Sequence, residues 1–514
     1  MSLSRTKYGF DSRWDYYLGL IRKYMHRWFN FIPAGLSWTT LFLVVFLSWQ
    51  EPVFIAVFII LFDIYWLLKS IYFSLHLRSS FSKMRDFLKI NWLKKLDILA
   101  DWQSVYHLVI LPMADEPYEV IEETFESLIK ANYPKDKLII VLAVEESGGN
   151  AANDSAMRIL ARFDAVLPNC LITRHPANLA GEIPGKGSNE TWAVKEAKDK
   201  IIDRLKIPYE KIIVSVFDID TQINSEYFGC LAYHFLTAEN PQRSSYQPIP
   251  LFTNNIYKAP ALARIISFSA TFWQMMQQSR PERLTTFSSH AMPFKSLVEI
   301  GYWQKDIVSE DSRIFWQCYF HYNGDWRVVP LFFPVFMDAN VAPTFWGTMI
   351  NIYKQQRRWA WGVENIPYLL KGFVKNKLIP LKTKIYWSFN VIESFHSWAT
   401  NSIIIFALGW LPVFIGKEGF GETVMAYNLP GITRQIMFFA SIGIASSAIL
   451  SVIILPPRPE GIRLRHYAWY LLQWLLLPIT LIIFGAIPAL EAQTRLMLGG
   501  KFRLGFWVTP KSRN

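Results

Sequence analysis

The chain has 514 residues, of which 52% are hydrophobic and 18% charged, with 38 Phe, 23 Tyr and 21 Trp. It is too long for one ordinary core and too apolar and aromatic for a typical soluble protein, so a globular domain joined to membrane-embedded segments is expected. The formal net charge of +12 does not point to nucleic acid, because the basic residues cluster beside hydrophobic spans, where anionic headgroups account for them.

The opening residues are basic and aromatic rather than a short apolar core ending in small residues, so no cleavable leader is expected. Residues 31–49 and 53–74 are each long enough to cross a ~30 Å hydrocarbon layer and read as a helical hairpin. Arg22, Lys23 and Arg27 precede it and Arg78, Lys83 and Arg85 follow it, which places both ends in the cytosol. Asp63 falls mid-span, where an ionisable group is costly; it reads as paired, as lining an acceptor path, or as hydrogen-bonded within the bundle.

From about residue 101 the texture changes to short apolar runs alternating with amphipathic stretches, the pattern of an α/β domain with a largely parallel sheet. Candidate strands are 106–111, 138–144 and 211–217, each ending at polar or acidic residues, where open α/β sheets bind ligands. Cys170, Cys230 and Cys318 have spacings that suit neither a zinc site nor a disulfide framework. Residues 343–370 are aromatic and basic enough to lie along the interface. Apolar segments 399–415, 436–455 and 467–490 follow, with basic loops at 458–465 and 495–513. Five passes set the basic tail on the wrong side, and Pro478 and Pro488 offer a way out by breaking the last segment into a re-entrant hairpin. The expected organisation is a membrane hairpin (1–100), an α/β domain (101–342), interfacial helices (343–398) and C-terminal membrane helices (399–514).

Three motifs carry chemistry. Asp218 and Asp220 stand one residue apart at a strand end, where both can approach one hard cation, although acidic pairs are also common on solvated loops. Ser309-Glu310-Asp311 opens a helix-like stretch at 312–320; Asp311 there is either a base for an acceptor hydroxyl or an acidic helix cap. In Gln355-Gln356-Arg357-Arg358-Trp359, Arg358 suits diphosphate oxygens and Trp359 suits sugar stacking, while a snorkelling Arg and an interfacial Trp are the plain alternative. Glu393 and His396 share a helical face where they can meet a lipid phosphate or each other.

In this order and at these separations the motifs resemble the membrane-integrated synthases of glycosyltransferase family 2, the cellulose, chitin and hyaluronan synthase group. The resemblance runs from about His107 to Ala360 and loosely on to Val508-Thr509-Pro510-Lys511. It opens with Leu111-Pro112-Met113-Ala114-Asp115-Glu116-Pro117, similar to the family's first strand and turn, with Asp115 where Asn is usual; Glu116 and Tyr118 then either frame the base or belong to a surface turn. The resemblance implies an α/β GT-A type, Rossmann-like cytosolic catalytic domain. It implies a metal and diphosphate site at Asp218 and Asp220, holding Mg2+ or Mn2+, and a catalytic base at Asp311 beside Glu310. Gln355, Arg358 and Trp359 match QxxRW, which lines the donor and acceptor sites, Arg358 on the donor side and Gln355 and Trp359 on the acceptor side. Gly185-Lys186-Gly187-Ser188-Asn189 is similar to the family's donor loop, one residue shorter between Lys and Asn. Where the family often has Asp-Asp-Gly-Ser to hold the base, this chain has Glu145-Glu146-Ser147-Gly148, so Glu145 takes the donor role and the choice of nucleotide stays open. The implied activity is inverting, metal-dependent transfer of a sugar from a nucleotide-sugar donor to a membrane-associated glycan or lipid-linked acceptor, with membrane lipids around it and no nucleic acid. Processive polysaccharide synthesis in a bacterial inner membrane is the leading form. Single addition to a polyprenyl-phosphate or glycolipid acceptor is the alternative, and a transporter with a cytosolic regulatory domain is the rival from another class.

Overall fold

The computed structural model describes residues 11–505, 507 and 509, with side chains from residue 27 onward. The side chains of Arg22 and Lys23, and residues 508, 510 and 511, lie outside what is described. Helices α1 (Asp11–Gln50) and α2 (Pro52–Phe87) form the expected hairpin, turning at Glu51. Pro52 suits the first turn of α2, where a missing N–H costs nothing. Asp63 is buried in α2, 4% exposed.

The α/β domain is built on an eight-stranded mixed sheet. Its strands are β1 (Tyr106–Met113), β2 (Leu138–Glu145), β3 (Asn169–His175), β4 (Ile212–Val216), β5 (Gln222–Ile223), β6 (Ser244–Phe252), β7 (Ala291–Pro293) and β8 (Arg327–Met337), in the order β3-β2-β1-β4-β7-β6-β8-β5. β3, β2, β1 and β4 are parallel to one another, and β7 runs antiparallel between β4 and β6. The three strands read from the sequence are found where expected. Their unbroken Val, Ile and Leu runs reflect burial on both faces: along β1, Val109, Leu111 and Met113 enter one core and Leu108 and Ile110 the other, as the two-residue repeat of a strand requires. The free thiols Cys230 and Cys318 are buried and Cys170 is partly so.

Beyond the sheet, helix Phe345–Ala360 buries Thr348, Ile352, Gln355 and Gln356 against the rest of the protein and leaves Phe345, Trp346 and Ile350 exposed. Among the described residues, four helices are long and apolar enough to cross a membrane: Arg27–Gln50, Pro52–Phe87, Val424–Ile453 and Leu464–Leu498. The chain is a membrane protein. The segment expected to span at 399–415 comprises the end of helix Leu381–Ile403, a π-helical turn Ile404–Leu408 and a short helix Leu411–Ile415. Leu464–Leu498 is broken by 3₁₀ and π turns around Pro478 and before Pro488. Glu393 and His396 lie close enough to interact electrostatically, but each bonds another residue: Glu393 pairs with Lys69 at 2.7 Å and His396 with Thr40 at 3.0 Å.

Candidate active site

The carboxyl ends of β1, β2 and β4 open onto a cavity of about 880 Å³ that continues among the membrane helices. Asp218, Lys186, Asp311, Gln355, Arg358 and Trp359 all line it, although they come from four separate stretches of chain.

Past Val216 the chain leaves the strand and turns, with the Thr221 N–H bonded to the Asp218 carbonyl at 2.8 Å. The turn breaks the strand repeat, so the two aspartates are treated differently. Asp218 accepts the Ser288 hydroxyl at 3.0 Å and pairs with the Lys186 ammonium. Asp220 is wholly buried, and its Oδ2 accepts the Asp338 backbone N–H at 2.8 Å. Asn254 ties the two regions together by donating to the Asp220 carbonyl and to Asp338 Oδ1, both at 3.1 Å. Among the described residues, no three His, Cys, Asp or Glu side chains gather into a metal cage.

Lys186 begins helix Lys186–Ala197. Gly187 is required there by close approach: a Cβ on it would lie 2.8 Å from the Gln304 carbonyl oxygen and 3.1 Å from Glu310 Cβ. The helix thus brings Lys186 against the Ser309-Glu310-Asp311 motif. One turn on, it also brings Glu190, a carboxylate that the sequence reading missed, into the same electrostatic group. Glu310 is buried, and burial, then Asp311 and Glu190, push its carboxyl well above the usual range against the pull of Lys186.

Asp311 lies in the first turn of helix Glu310–His321 and accepts the Ser312 N–H at 2.7 Å, a capping contact, while still lining the cavity. Arg358 faces it across the site: burial draws its guanidinium pKa down, and Glu310 and Asp311 counter that. Trp359 packs between Phe252 and Phe287, with ring centroids 5.9 and 6.0 Å away. Both residues line the cavity, which favours the site reading over the snorkelling one.

Glu145 also lines the cavity, at the end of β2. Its carboxylate bonds His175 Nδ1 at 3.1 Å, and His175 Nε2 bonds Glu182 at 2.9 Å, which in turn pairs with Lys305 at 2.6 Å. Burial opposes protonation of His175, but the two carboxylates outweigh it and hold its pKa above the ordinary value. Glu116 turns back to accept the Ala114 N–H at 2.8 Å, and the Tyr118 ring lies under Arg158; the Tyr118 contact fits the surface-turn reading.

No family model matches the chain. It is similar to the poly-β-1,6-N-acetyl-D-glucosamine synthase of Staphylococcus epidermidis, 23% identical over 341 residues, covering 64% of this chain and 69% of the relative. The enzyme of the same name from Staphylococcus aureus strain COL is also 23% identical, over 338 residues, with the same coverage. The chain is a glycosyltransferase. The match bears out the resemblance to the membrane-integrated, processive-type synthases of family 2 that the order of motifs carries. Among solved structures, this glycosyltransferase has a loose likeness to the mannosyltransferase PcManGT from Pyrobaculum calidifontis in complex with GDP-Man and Mn2+ (TM-score 0.39, 15% identity, covering 82% of this chain and 99% of that one). A second is S. aureus TarS 1-349 in complex with UDP-GlcNAc (TM-score 0.36, 13% identity, 78% and 93% covered). Superpositions this loose carry no weight for the site.

Proposed function

We propose that this glycosyltransferase moves a sugar, with inversion at the anomeric carbon, from a nucleotide-sugar donor to an acceptor held toward the membrane end of the cavity. The reading is supported above all by one observation: a single cavity unites Lys186, Asp218, Asp311, Arg358 and Trp359. Lys186 and Arg358 are cations suited to diphosphate oxygens. Asp311 takes the acceptor hydroxyl proton as the new bond forms, and no carboxylate is needed as a nucleophile. Trp359, flanked by two phenylalanines, offers an aromatic face to the acceptor sugar, with Gln355 beside it.

Asp218 fits a divalent cation: it is a hard oxygen donor facing the cavity, and it already draws the Lys186 ammonium. Asp220, committed to Asp338, braces the turn rather than sharing an open site. Mg2+ or Mn2+ bound at Asp218, completing its shell with donor oxygens, would neutralise the leaving diphosphate.

A growing polysaccharide is the favoured product. The cavity continues past Trp398, Asn401, Ser402 and Thr480 between the membrane helices, a polar and aromatic lining that suits a glycan. Single addition to a lipid-linked acceptor is favoured instead by Arg280 and Arg283, which line the cavity near Lys69 of α2 and offer cations to a lipid phosphate. The basic flanks of the spans support a cytosolic catalytic domain, and the family resemblance supports a bacterial inner membrane. Purified protein incubated with a panel of nucleotide sugars, N-acetylglucosamine donors first because the staphylococcal relatives are named for a polymer of that sugar, with the product read by mass spectrometry, tests this reading. Asp311→Asn is expected to lower transfer by roughly 10²-fold or more with donor affinity nearly unchanged; near-normal turnover would return Asp311 to the role of a helix cap.

A further inference from the structure

Ser309 occupies the N-cap position of helix Glu310–His321, yet its side chain accepts no helix N–H. Its hydroxyl donates to Glu364 Oε1 at 2.7 Å, and the same oxygen accepts the backbone N–H groups of Ser309 at 3.3 Å and Val308 at 3.4 Å. On the far side of Asp311, Arg313 is 4% exposed. It donates to Asn365 Oδ1 at 2.6 Å, to the Glu364 carbonyl at 3.2 Å and to Gln304 at 2.7 Å. Asn365 closes the frame by donating to Ser312 Oγ at 2.9 Å. The residues on both sides of Asp311 are therefore fastened to one dipeptide, Glu364-Asn365. Glu364 ends the single 3₁₀ turn, Trp361–Glu364, that follows the helix carrying Gln355, Arg358 and Trp359, and Asn365 comes directly after it.

We propose that Glu364 is a positioning residue for sugar transfer, fixing Asp311 at its working distance from Arg358 and Trp359 by binding residues 308 and 309 to the end of the Gln355–Trp359 helix. The inference rests on the transferase reading given above. A carboxylate suits the task because one oxygen can accept three donors, and charge-assisted bonds are shorter and stiffer than neutral ones. A buried frame of this kind holds a reactive group within the fraction of an ångström that transfer demands, and loss of that placement slows the reaction without touching the donor.

The test uses the full chain in detergent and compares wild type with Glu364→Ala, Glu364→Gln, Ser309→Ala and the Glu364→Ala/Ser309→Ala pair. Transfer kcat, donor KM and melting temperature are measured for each. Glu364→Ala is expected to lower kcat by about 10-fold or more with donor KM within about two-fold. Ser309→Ala should show a smaller loss, the pair no more than Glu364→Ala alone, and Glu364→Gln, which keeps an oxygen acceptor, a recovery of most of the rate. Unchanged kcat in Glu364→Ala, losses that multiply in the pair, a KM that rises as far as kcat falls, or Gln no better than Ala would each overturn the proposal. If Glu364→Ala does not fold, Ser309→Ala and Glu364→Gln decide it, since both keep the Arg313 contacts and a kcat equal to wild type in Ser309→Ala removes the link. An inactive wild type would sink the transferase reading itself, whereas an active wild type with an indifferent Glu364 sinks only the positioning role.

Discussion

Glu190 shows how one buried carboxyl ties stability to pH in this site. It is 1% exposed, and its pKa is pushed up from 4.5 to about 7 by burial, with Lys186 pulling it down and Asp311 pushing it further up. Between those two values the folded state binds more protons than the unfolded chain, so stability falls as pH rises through that window and stays reduced above it. Glu190→Gln removes the titration while keeping the shape. The variant is expected to melt with the wild type at pH 5 and a few degrees above it at pH 8. Melting curves that stay parallel from pH 5 to pH 8 would show that Glu190 is not the group that pays for ionisation. The sequence announced Lys186 through its Gly-Lys-Gly-Ser-Asn setting, but Glu190, directly after that Asn, looks like any acidic residue on an exposed helix. Only the packing of its helix against Glu310, which Gly187 permits, turns it inward. The same holds for Asp218 and Asp220: their spacing was legible, but the turn that separates their roles depends on Asp338, which is 118 residues away.

Helix Phe345–Ala360 divides its work between two faces. Arg357 donates to Glu491 Oε1 at 2.7 Å, Tyr353 to Glu491 Oε2 at 2.7 Å, and Arg495 to Oε1 at 2.6 Å, which docks the helix on the last apolar segment. Arg358, about 100° further round the helix, faces Glu310 and Asp311 instead. Two adjacent arginines should therefore respond differently to the same substitution. Arg357→Lys keeps a charge that can reach one carboxylate and is expected to retain at least half of wild-type transfer. Arg358→Lys loses the planar fork for diphosphate oxygens and is expected to lose about 10²-fold. Equal transfer rates in the two purified variants would count against this division of faces. The resemblance to family 2 singled out Arg358, whereas Arg357 carried no signal, because its partner lies 134 residues downstream. The sequence could not separate an interfacial placement from a site role for this stretch for a related reason: aromatic and basic residues compose both a membrane surface and a buried polar site.

The whole molecule poses the question of which segments cross the bilayer, and here contacts are a better guide than composition. The Lys417 N–H bonds the Trp49 carbonyl at 3.2 Å, and a Cβ on Gly416 would touch Pro52, so the stretch from Leu381 to Ile415, polar in its first half and apolar in its second, runs from the catalytic domain to the turn of the α1–α2 hairpin. Helix Val424–Ile453 returns along α2, with Ala426 and Leu429 packed near Ile55 at one end and Ser446 bonded to Arg78 near the other. It delivers the following loop to the catalytic domain, where Tyr257 bonds the Pro456 carbonyl at 2.7 Å. The segment Leu464–Leu498 is long and apolar enough to span, yet both its ends stay on that same side. Gln473 bonds Arg264 near its start and Glu491 bonds Tyr353 and Arg357 near its finish, and between them Leu481 reaches only as far as Ser402. We propose that α1, α2, 381–415 and Val424–Ile453 cross and that the last segment dips in and returns, an arrangement that would keep Arg458, Arg463 and Arg495 on the catalytic side, in keeping with the positive-inside rule. Single cysteines introduced into a variant lacking the three native ones, then labelled with an impermeant maleimide in sealed vesicles, separate the alternatives. Gln50→Cys and Glu418→Cys should label from one face, and Asp154→Cys, Glu460→Cys and Lys501→Cys from the other. Labelling of Glu460→Cys together with Gln50→Cys would mean that Leu464–Leu498 crosses after all, and the 381–415 stretch would then have to be read as a lining of the cavity that stops short of the far side.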